Sequence, residues 1–187
     1  DFKTSNSHNT REELNANPDQ MRAVEAIRNQ FGNFSVHLLY GITGSGKTEV
    51  YLQCIANCLD RGQQALFLLP EISLTPQNLA QFQARFDAPI VVLHSAMGDA
   101  ERDRCWNSVR QGESRIILGT RSAVFVPMAL HKLGIIVVDE EHDIAFVQQD
   151  GLRYSARDVA IKRGQLEHCP VVLGTATPSL ESWHNAE

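Results

Sequence analysis

The chain has 187 residues, 43% of them hydrophobic and 21% charged, the proportions of an ordinary soluble globular protein with one domain and a sizeable core. Its net charge of −5 excludes broad electrostatic attraction to nucleic acid, so any such contact must be local. No apolar run approaches the roughly 18 residues of a membrane span and no secretory signal is present, which points to a cytoplasmic protein without a membrane partner.

The first dozen residues are polar and rich in Asn, Ser and Thr, and the chain opens on Asp1 rather than Met. Residues 1–13 therefore read as a linker, residues 14–187 as the domain, and the whole as a piece of a longer protein. Asn17-Pro18-Asp19-Gln20 offers an N-cap, a proline at the first helical position and a glutamine at the third, a capping box that starts a helix over 18–31. The apolar run Val36–Tyr40 predicts a buried strand. It leads into Gly41-Ile42-Thr43-Gly44-Ser45-Gly46-Lys47-Thr48, which fits the phosphate-loop pattern G-x-x-x-x-G-K-[ST]. Gly41, Gly44 and Gly46 let the backbone of Thr43 and Ser45 curl with its N–H groups toward a phosphate, and the helix over 47–61 adds its positive end. Lys47 would reach the β- and γ-phosphates of ATP or the β-phosphate of ADP, and Thr48 would offer a hydroxyl to Mg²⁺.

Strand runs follow at Ala65–Leu69, Ile90–His94, Arg115–Gly119, Gly134–Asp139 and Pro170–Gly174, with helical stretches over 75–86, 99–111, 155–167 and 178–186. The strands are continuously apolar rather than alternating, which suits a mostly parallel open sheet with helices on both faces. Ser155 with Asp158 makes a second box-like helix start. Cys54, Cys58, Cys105 and Cys169 contain no C-x-x-C pair and read as reduced thiols.

Ligands of such sheets bind at the carboxyl ends of the strands, where two further motifs lie. Gly134–Val138 ends in Asp139-Glu140-Glu141-His142. Asp139 fits a Mg²⁺ carboxylate, and Glu140 a base that orients and deprotonates the attacking water. His142 is placed to sense the γ-phosphate. Gly174-Thr175-Ala176-Thr177-Pro178 ends the last strand, and Thr175 and Thr177 are expected to hydrogen-bond the acidic group; the competing reading makes Thr177 a helix N-cap before Pro178.

Seven stretches carry a family resemblance: GITGSGKTEVY, LLPEISLTPQ, LHSAMGDAERDRCW, GTRSAVF, DEEHD, RYSARD and GTATPSLES. Together they resemble the first RecA-like motor domain of superfamily 2 DExH helicases, and within it the bacterial primosomal replication-restart helicases. The likeness runs from about residue 14 to the C-terminus. It implies a P-loop NTPase that couples ATP hydrolysis to single-stranded DNA and works 3′-to-5′ at stalled forks through primosome assembly. Gln20 is implied to read the adenine edge, beside its capping role. Thr120 and Arg121 are implied to touch the DNA backbone, with a salt bridge to a nearby acid as the competing role of Arg121. Residues Asp143 to Arg157 resemble an aromatic-rich coupling loop in which Phe146 and Tyr154 stack on bases while Arg153 and Arg157 add charge; the competing reading packs the aromatics in the core. Relatives often carry Tyr then Lys where this chain has Phe146-Val147, and His where it has Ser155.

The resemblance also implies partners outside this chain. They are a second helicase lobe with an arginine that completes the ATPase site, a DNA-binding region and a zinc-binding insertion. Forked DNA, replication-restart proteins and single-stranded DNA-binding protein are implied too. A small-molecule kinase would share the phosphate loop but requires an acceptor pocket, and a nucleotide-gated interaction module would bind without hydrolysis. The sequence DEEH suits water as acceptor better than a metabolite.

Overall fold

The computed structural model describes residues 17–186. The strands are β1 (Ser35–Tyr40), β2 (Gln64–Leu68), β3 (Ile90–Leu93), β4 (Ile116–Gly119), β5 (Leu133–Val138), the short pair β6 (Val147–Gln148) and β7 (Tyr154–Ser155), and β8 (Pro170–Thr175). The helices are α1 (Pro18–Arg28), α2 (Lys47–Asp60), α3 (Pro76–Arg85), α4 (Asp99–Gln111), α5 (Ala156–Glu167) and α6 (Leu180–Ala186). Six strands form one parallel sheet in the order β1-β8-β5-β2-β4-β3, and β6 pairs antiparallel with β7. This is the expected α/β architecture of a RecA-like lobe.

The continuous apolar runs have a two-sided explanation. Ala65, Phe67, Ile116, Leu118, Ile135, Val137 and Val172 face one side, where they meet Val24 and Ile27 of α1, Val50 and Ile55 of α2, and Phe82 of α3. The alternate residues Leu66, Leu68, Ile117, Ile136, Val138, Val171 and Leu173 face the other, against Val109 of α4, Val124, Phe146 and Ala160 of α5. Each fully buried side chain of this kind contributes about 1.5–3 kcal/mol relative to exposure. Every residue of β2, β4, β5 and β8 is buried, but β1 and β3 are part-exposed. They stand at the two sheet edges, where one flank lacks a neighbouring strand.

Local chemistry sets the helix ends. At α1 the capping box forms in both directions: Asn17 Oδ1 accepts from Gln20 N at 2.9 Å, and Gln20 Oε1 accepts from Asn17 N at 2.8 Å. The helix ends at Arg28 rather than Phe31, because the next N–H groups of Gln30 and Phe31 turn to the tighter partners Ile27 and Arg28. Only half of the box at α5 forms. Ser155 Oγ accepts from Asp158 N at 3.2 Å, while the Asp158 carboxylate takes Arg157 Nε at 2.8 Å. Helix α6 begins at Leu180, and its cap is Ser179, whose Oγ accepts from Ser182 N at 3.1 Å. Thr177 is therefore not the cap.

Gln64 is the polar bolt of this core. It is 1% exposed, its Nε2 donates to Val109 O at 2.9 Å and Ser114 O at 2.6 Å, and its Oε1 accepts from Ala129 N at 2.9 Å. It ties the start of β2 to the end of α4 and the approach to β5, with each amide group satisfied. Burial pushes the Cys54 and Cys169 thiols up to about 12 and Cys58 in the same direction, so all three stay protonated; Cys105 is half-buried. Among the described residues no helix is long and apolar enough to cross a membrane.

Candidate active site

Three parallel strands, β1, β5 and β8, deliver their carboxyl ends to one place. The loop after β1 is anchored to β8 through Gly41 N, which donates to Thr175 O at 3.1 Å. Gly44 at φ +80 and Gly46 at φ +87 adopt left-handed backbone that glycine alone takes cheaply. Gly46 has a second reason to lack a side chain: a Cβ there would lie 2.0 Å from Gln20 Nε2. That amide donates to Ser45 O at 3.2 Å and Gly46 O at 3.4 Å, so α1 is tethered to the loop through the same side chain that caps it. Thr43, Ser45 and Thr48 are exposed along the loop and the first turn of α2. Lys47 Nζ donates to the carbonyls of Gly41 at 2.6 Å and Ile42 at 3.4 Å, folding back over the loop it follows.

Asp139 stands directly after β5, with its N–H donated to Leu68 O of β2 at 2.9 Å. Its Oδ1 accepts from Tyr51 Oη at 2.9 Å. Sequence reasoning gave Tyr51 no role. Its signal was helical spacing, because Tyr51 lies one turn after Lys47 and shares its face of α2. Burial pushes the Asp139 carboxyl up from its ordinary value; the Tyr51 hydrogen bond opposes this, and Glu140 reinforces it. Burial also raises the Tyr51 phenol, with Asp139 adding to the effect, so the hydroxyl remains a donor.

A raised folded-state value has a defined sign. The folded chain holds the Asp139 proton to higher pH than the unfolded chain, so stability is present below the unfolded value and falls as pH rises through the folded one. In metal-free buffer, Asp139→Asn is expected to melt like the parent at about pH 3 and higher at pH 7, by about 2–4 °C per kcal/mol recovered. Calorimetric melts at the two pH values measure this, and equal melting at pH 7 would refute it.

The rest of the acidic turn divides by burial. Glu140 has φ +51, a left-handed backbone uncommon for a non-glycine residue and a conformation held by its surroundings. His142 Nδ1 lies 2.8 Å from Thr175 Oγ1 and Nε2 lies 3.1 Å from Thr177 Oγ1, so both threonines meet the acidic turn as expected. Glu140 Oε2 is 3.7 Å from His142 Nδ1. Glu141, by contrast, is 3% exposed and receives Ser179 N at 2.9 Å, Ser182 Oγ at 2.9 Å and Arg157 Nη1 at 3.3 Å. Three consecutive acids carry no sequence signal for which one turns inward.

Of the expected DNA-contacting residues, Thr120, Arg121, Phe146 and Tyr154 line a cleft of about 210 Å³ with Pro70 and Glu71, among others, while Arg153 and Arg157 lie outside it. Arg121 Nη1 donates to Ala145 O at 3.3 Å and Val147 O at 3.0 Å, in place of the salt bridge weighed for it. Thr120 is 7% exposed and its N–H is donated to Leu93 O. Two expectations are corrected. Phe146 is 1% exposed in the core beside α5 and presents no face to a base. Arg157 bonds Glu141, Asp158 and Glu181, so its charge is spent inside the domain. Tyr154 is half-buried and stacks edge-on against the exposed Phe125 at 5.0 Å, and Arg153 is exposed.

The donor set fits Mg-ATP better than a caged metal. Among the described residues no three His, Cys, Asp or Glu side chains converge. Mg²⁺ in nucleotide sites takes one or two protein oxygens and completes its shell with phosphates and water, which Thr48 and Asp139 match.

The DEAD/DEAH box helicase family model matches residues 17–186. Replication restart protein PriA of Chlamydia pneumoniae is 48% identical over 172 residues, which are 90% of this chain and 23% of that protein. PriA of Bacillus subtilis is 44% identical over 178 residues, 94% of this chain and 22% of that one. The chain thus spans about a quarter of the length of the curated relatives it matches. A solved structure of RecG bound to a three-way DNA junction has a TM-score of 0.65 at 22% identity, covering 94% of this chain and 23% of that one, which is a likeness of fold.

Proposed function

The chain belongs to the DEAD/DEAH box helicase family, and we propose that it is the first ATP-binding motor lobe of a 3′-to-5′ DNA helicase that restarts stalled replication forks by primosome assembly. The observation that carries this reading is the convergence of the phosphate loop, Asp139 and Thr175 on one end of the sheet, with Tyr51 bonded across from α2 to Asp139. The identity to PriA proteins over about nine-tenths of the chain supports the replication-restart assignment.

In this reading the loop N–H groups from Thr43 to Thr48 receive the polyphosphate, and Lys47 exchanges the Gly41 and Ile42 carbonyls for β- and γ-phosphate oxygens. Thr48 and Asp139 would hold Mg²⁺, which would supply charge neutralisation at the phosphates. Glu140 takes the proton of the attacking water. His142, held by Thr175 and Thr177, reports the γ-phosphate to the rest of the lobe. Gln20 keeps one lone pair on Oε1 for the adenine edge, and its amide hydrogens, which bond the Ser45 and Gly46 carbonyls, would have to exchange one of these for the base. Thr120, Arg121 and Tyr154 face DNA at the cleft, with Tyr154 the remaining aromatic for stacking and the exposed Arg153 adding charge beside it.

A second lobe supplies the arginine of the complete ATPase site, a step worth about 10³–10⁵ in rate. By itself this lobe is expected to hydrolyse ATP weakly. In this reading replication-restart proteins and single-stranded DNA-binding protein are partners, and a zinc insertion lies elsewhere in the full-length protein. The test is titration calorimetry of this chain with Mg-ATP, followed by hydrolysis assays of the longer protein with and without single-stranded DNA. Uptake of ATP and DNA-stimulated hydrolysis are expected. No uptake would overturn the nucleotide site, hydrolysis indifferent to DNA would overturn the motor, and phosphate appearing on a metabolite would favour a kinase.

A further inference from the structure

Tyr51 is buried to 1% exposure in a site shared by three elements. Its ring lies edge-on to Phe67 of β2 at 5.5 Å, and Phe67 lies edge-on to Phe82 of α3 at 5.1 Å, which fixes the ring from behind. Its hydroxyl passes over Gly174 of β8, where a Cβ would fall 1.5 Å from Oη. It ends on Asp139 Oδ1 at 2.9 Å. A helix, a strand end and a glycine are thus arranged around one O–H group. Packing alone would be served by a phenylalanine at 51, although a Cβ at 174 would still fall 2.6 Å from the ring Cζ.

We propose that Tyr51 is a positioning residue that orients the Asp139 carboxylate for Mg²⁺. Its hydrogen bond occupies Oδ1 and directs Oδ2 to the cation, and glycine at 174 leaves room for the ring tip and the hydroxyl that reaches past it. Because Tyr51 sits one turn beyond Lys47 on α2, it also sets the spacing between the phosphate loop and the metal carboxylate. The inference rests on the reading of Asp139 as the Mg²⁺ carboxylate. Outer hydrogen-bond partners of metal ligands have a known weight, costing about 10–100-fold in metal affinity when removed.

Tyr51→Phe keeps the ring and deletes the donor. The test is binding of a fluorescent ADP to the purified chain across a Mg²⁺ titration and in EDTA. We expect Tyr51→Phe to require about 10-fold more Mg²⁺ for half-maximal binding while EDTA affinity stays at the parent value. Asp139→Asn should abolish the Mg²⁺ dependence, and adding Tyr51→Phe to it should change nothing further. Tyr51→Phe with a parental Mg²⁺ midpoint, equal losses with and without Mg²⁺, or an undiminished effect in the Asp139→Asn background would each overturn the proposal. Gly174→Ala gives an independent readout with the tyrosine in place. It should displace the hydroxyl and raise the Mg²⁺ midpoint, and a parental midpoint in that variant would also count against the proposal. If Asp139→Asn itself leaves Mg²⁺ dependence intact, the reading of Asp139 fails; if only Tyr51→Phe is silent, the positioning role alone fails.

Discussion

Lys47→Ala is expected to lower the affinity of this chain for Mg-ATP by about 10–100-fold, the weight of one or two charge-assisted hydrogen bonds. In the longer, two-lobed protein the same change should reduce hydrolysis by about 10²–10³, the typical cost of removing one preorganised donor from a developing charge. The fold should survive. Lys47 Nζ bonds only carbonyls of its own loop, at Gly41 and Ile42, and it stands half-buried on the first turn of α2. Both bonds stay within the loop, so a melting temperature near the parent's is expected alongside the lost affinity. The left-handed glycines at 44 and 46 do not depend on the amine, so the loop should keep its curl. Calorimetry on the variant measures the first effect. Unchanged affinity would show that phosphate is not seated on this loop.

Arg157→Ala has the largest expected effect on stability. Three carboxylates surround the guanidinium, but they do not weigh equally. Asp158 and Glu181 have side chains 57% and 69% exposed, where ion pairs are worth about 0–1 kcal/mol. The Glu141 side chain is 0% exposed and carries its charge inside the protein. Removing the partner of a buried charge costs about 3–5 kcal/mol, and the lower end applies because Arg157 retains 14% exposure. A loss of about 3 kcal/mol is therefore expected in denaturant unfolding. Glu141→Gln should recover much of it in the double variant, since an amide needs no counter-charge and its oxygen still accepts from Ser179 N. Equal stability of the single and double variants would refute the account. The same network joins the acidic turn to α5 and α6, so loosening it should also disturb Glu140, whose left-handed backbone is held between Asp139 and the buried Glu141.

These two predictions illustrate where the chain could and could not be read in one dimension. Lys47 was legible. A phosphate loop is a local object: its glycines, its lysine and the flanking strand and helix lie within about two dozen residues, and the backbone conformation follows from residue type. The capping box at Asn17 and Gln20 was legible for the same reason. The strands were legible because a chain buried on both faces of a sheet must be apolar at every position, although the exposed edges of β1 and β3 depend on strand order.

Arg157 and Phe146 were not legible in this way. Both lie in a stretch rich in arginine and aromatics, which reads equally as a nucleic-acid loop or as packing. Phe146 turned inward because the short 3₁₀ turn before β6 places it in the buried cluster that also holds Ala156 and Ala160 of α5. Arg157 turned inward because the first turn of α5 meets Glu141 and Ser179, 16 and 22 residues away. Tyr51 is an intermediate case: its face of the helix was readable, and its partner 88 residues on was not.

Taken alone, the order of residues determined the most local features: the phosphate loop, the capping box at Asn17 and Gln20, the six apolar strands and the acidic end of β5. The tertiary structure decided which of the adjacent acids is buried, which aromatic is exposed, and which hydroxyl holds Asp139. The reason is range. Periodicity and capping report contacts three or four residues apart, whereas burial and ion pairing are settled by segments that meet only when the sheet is assembled.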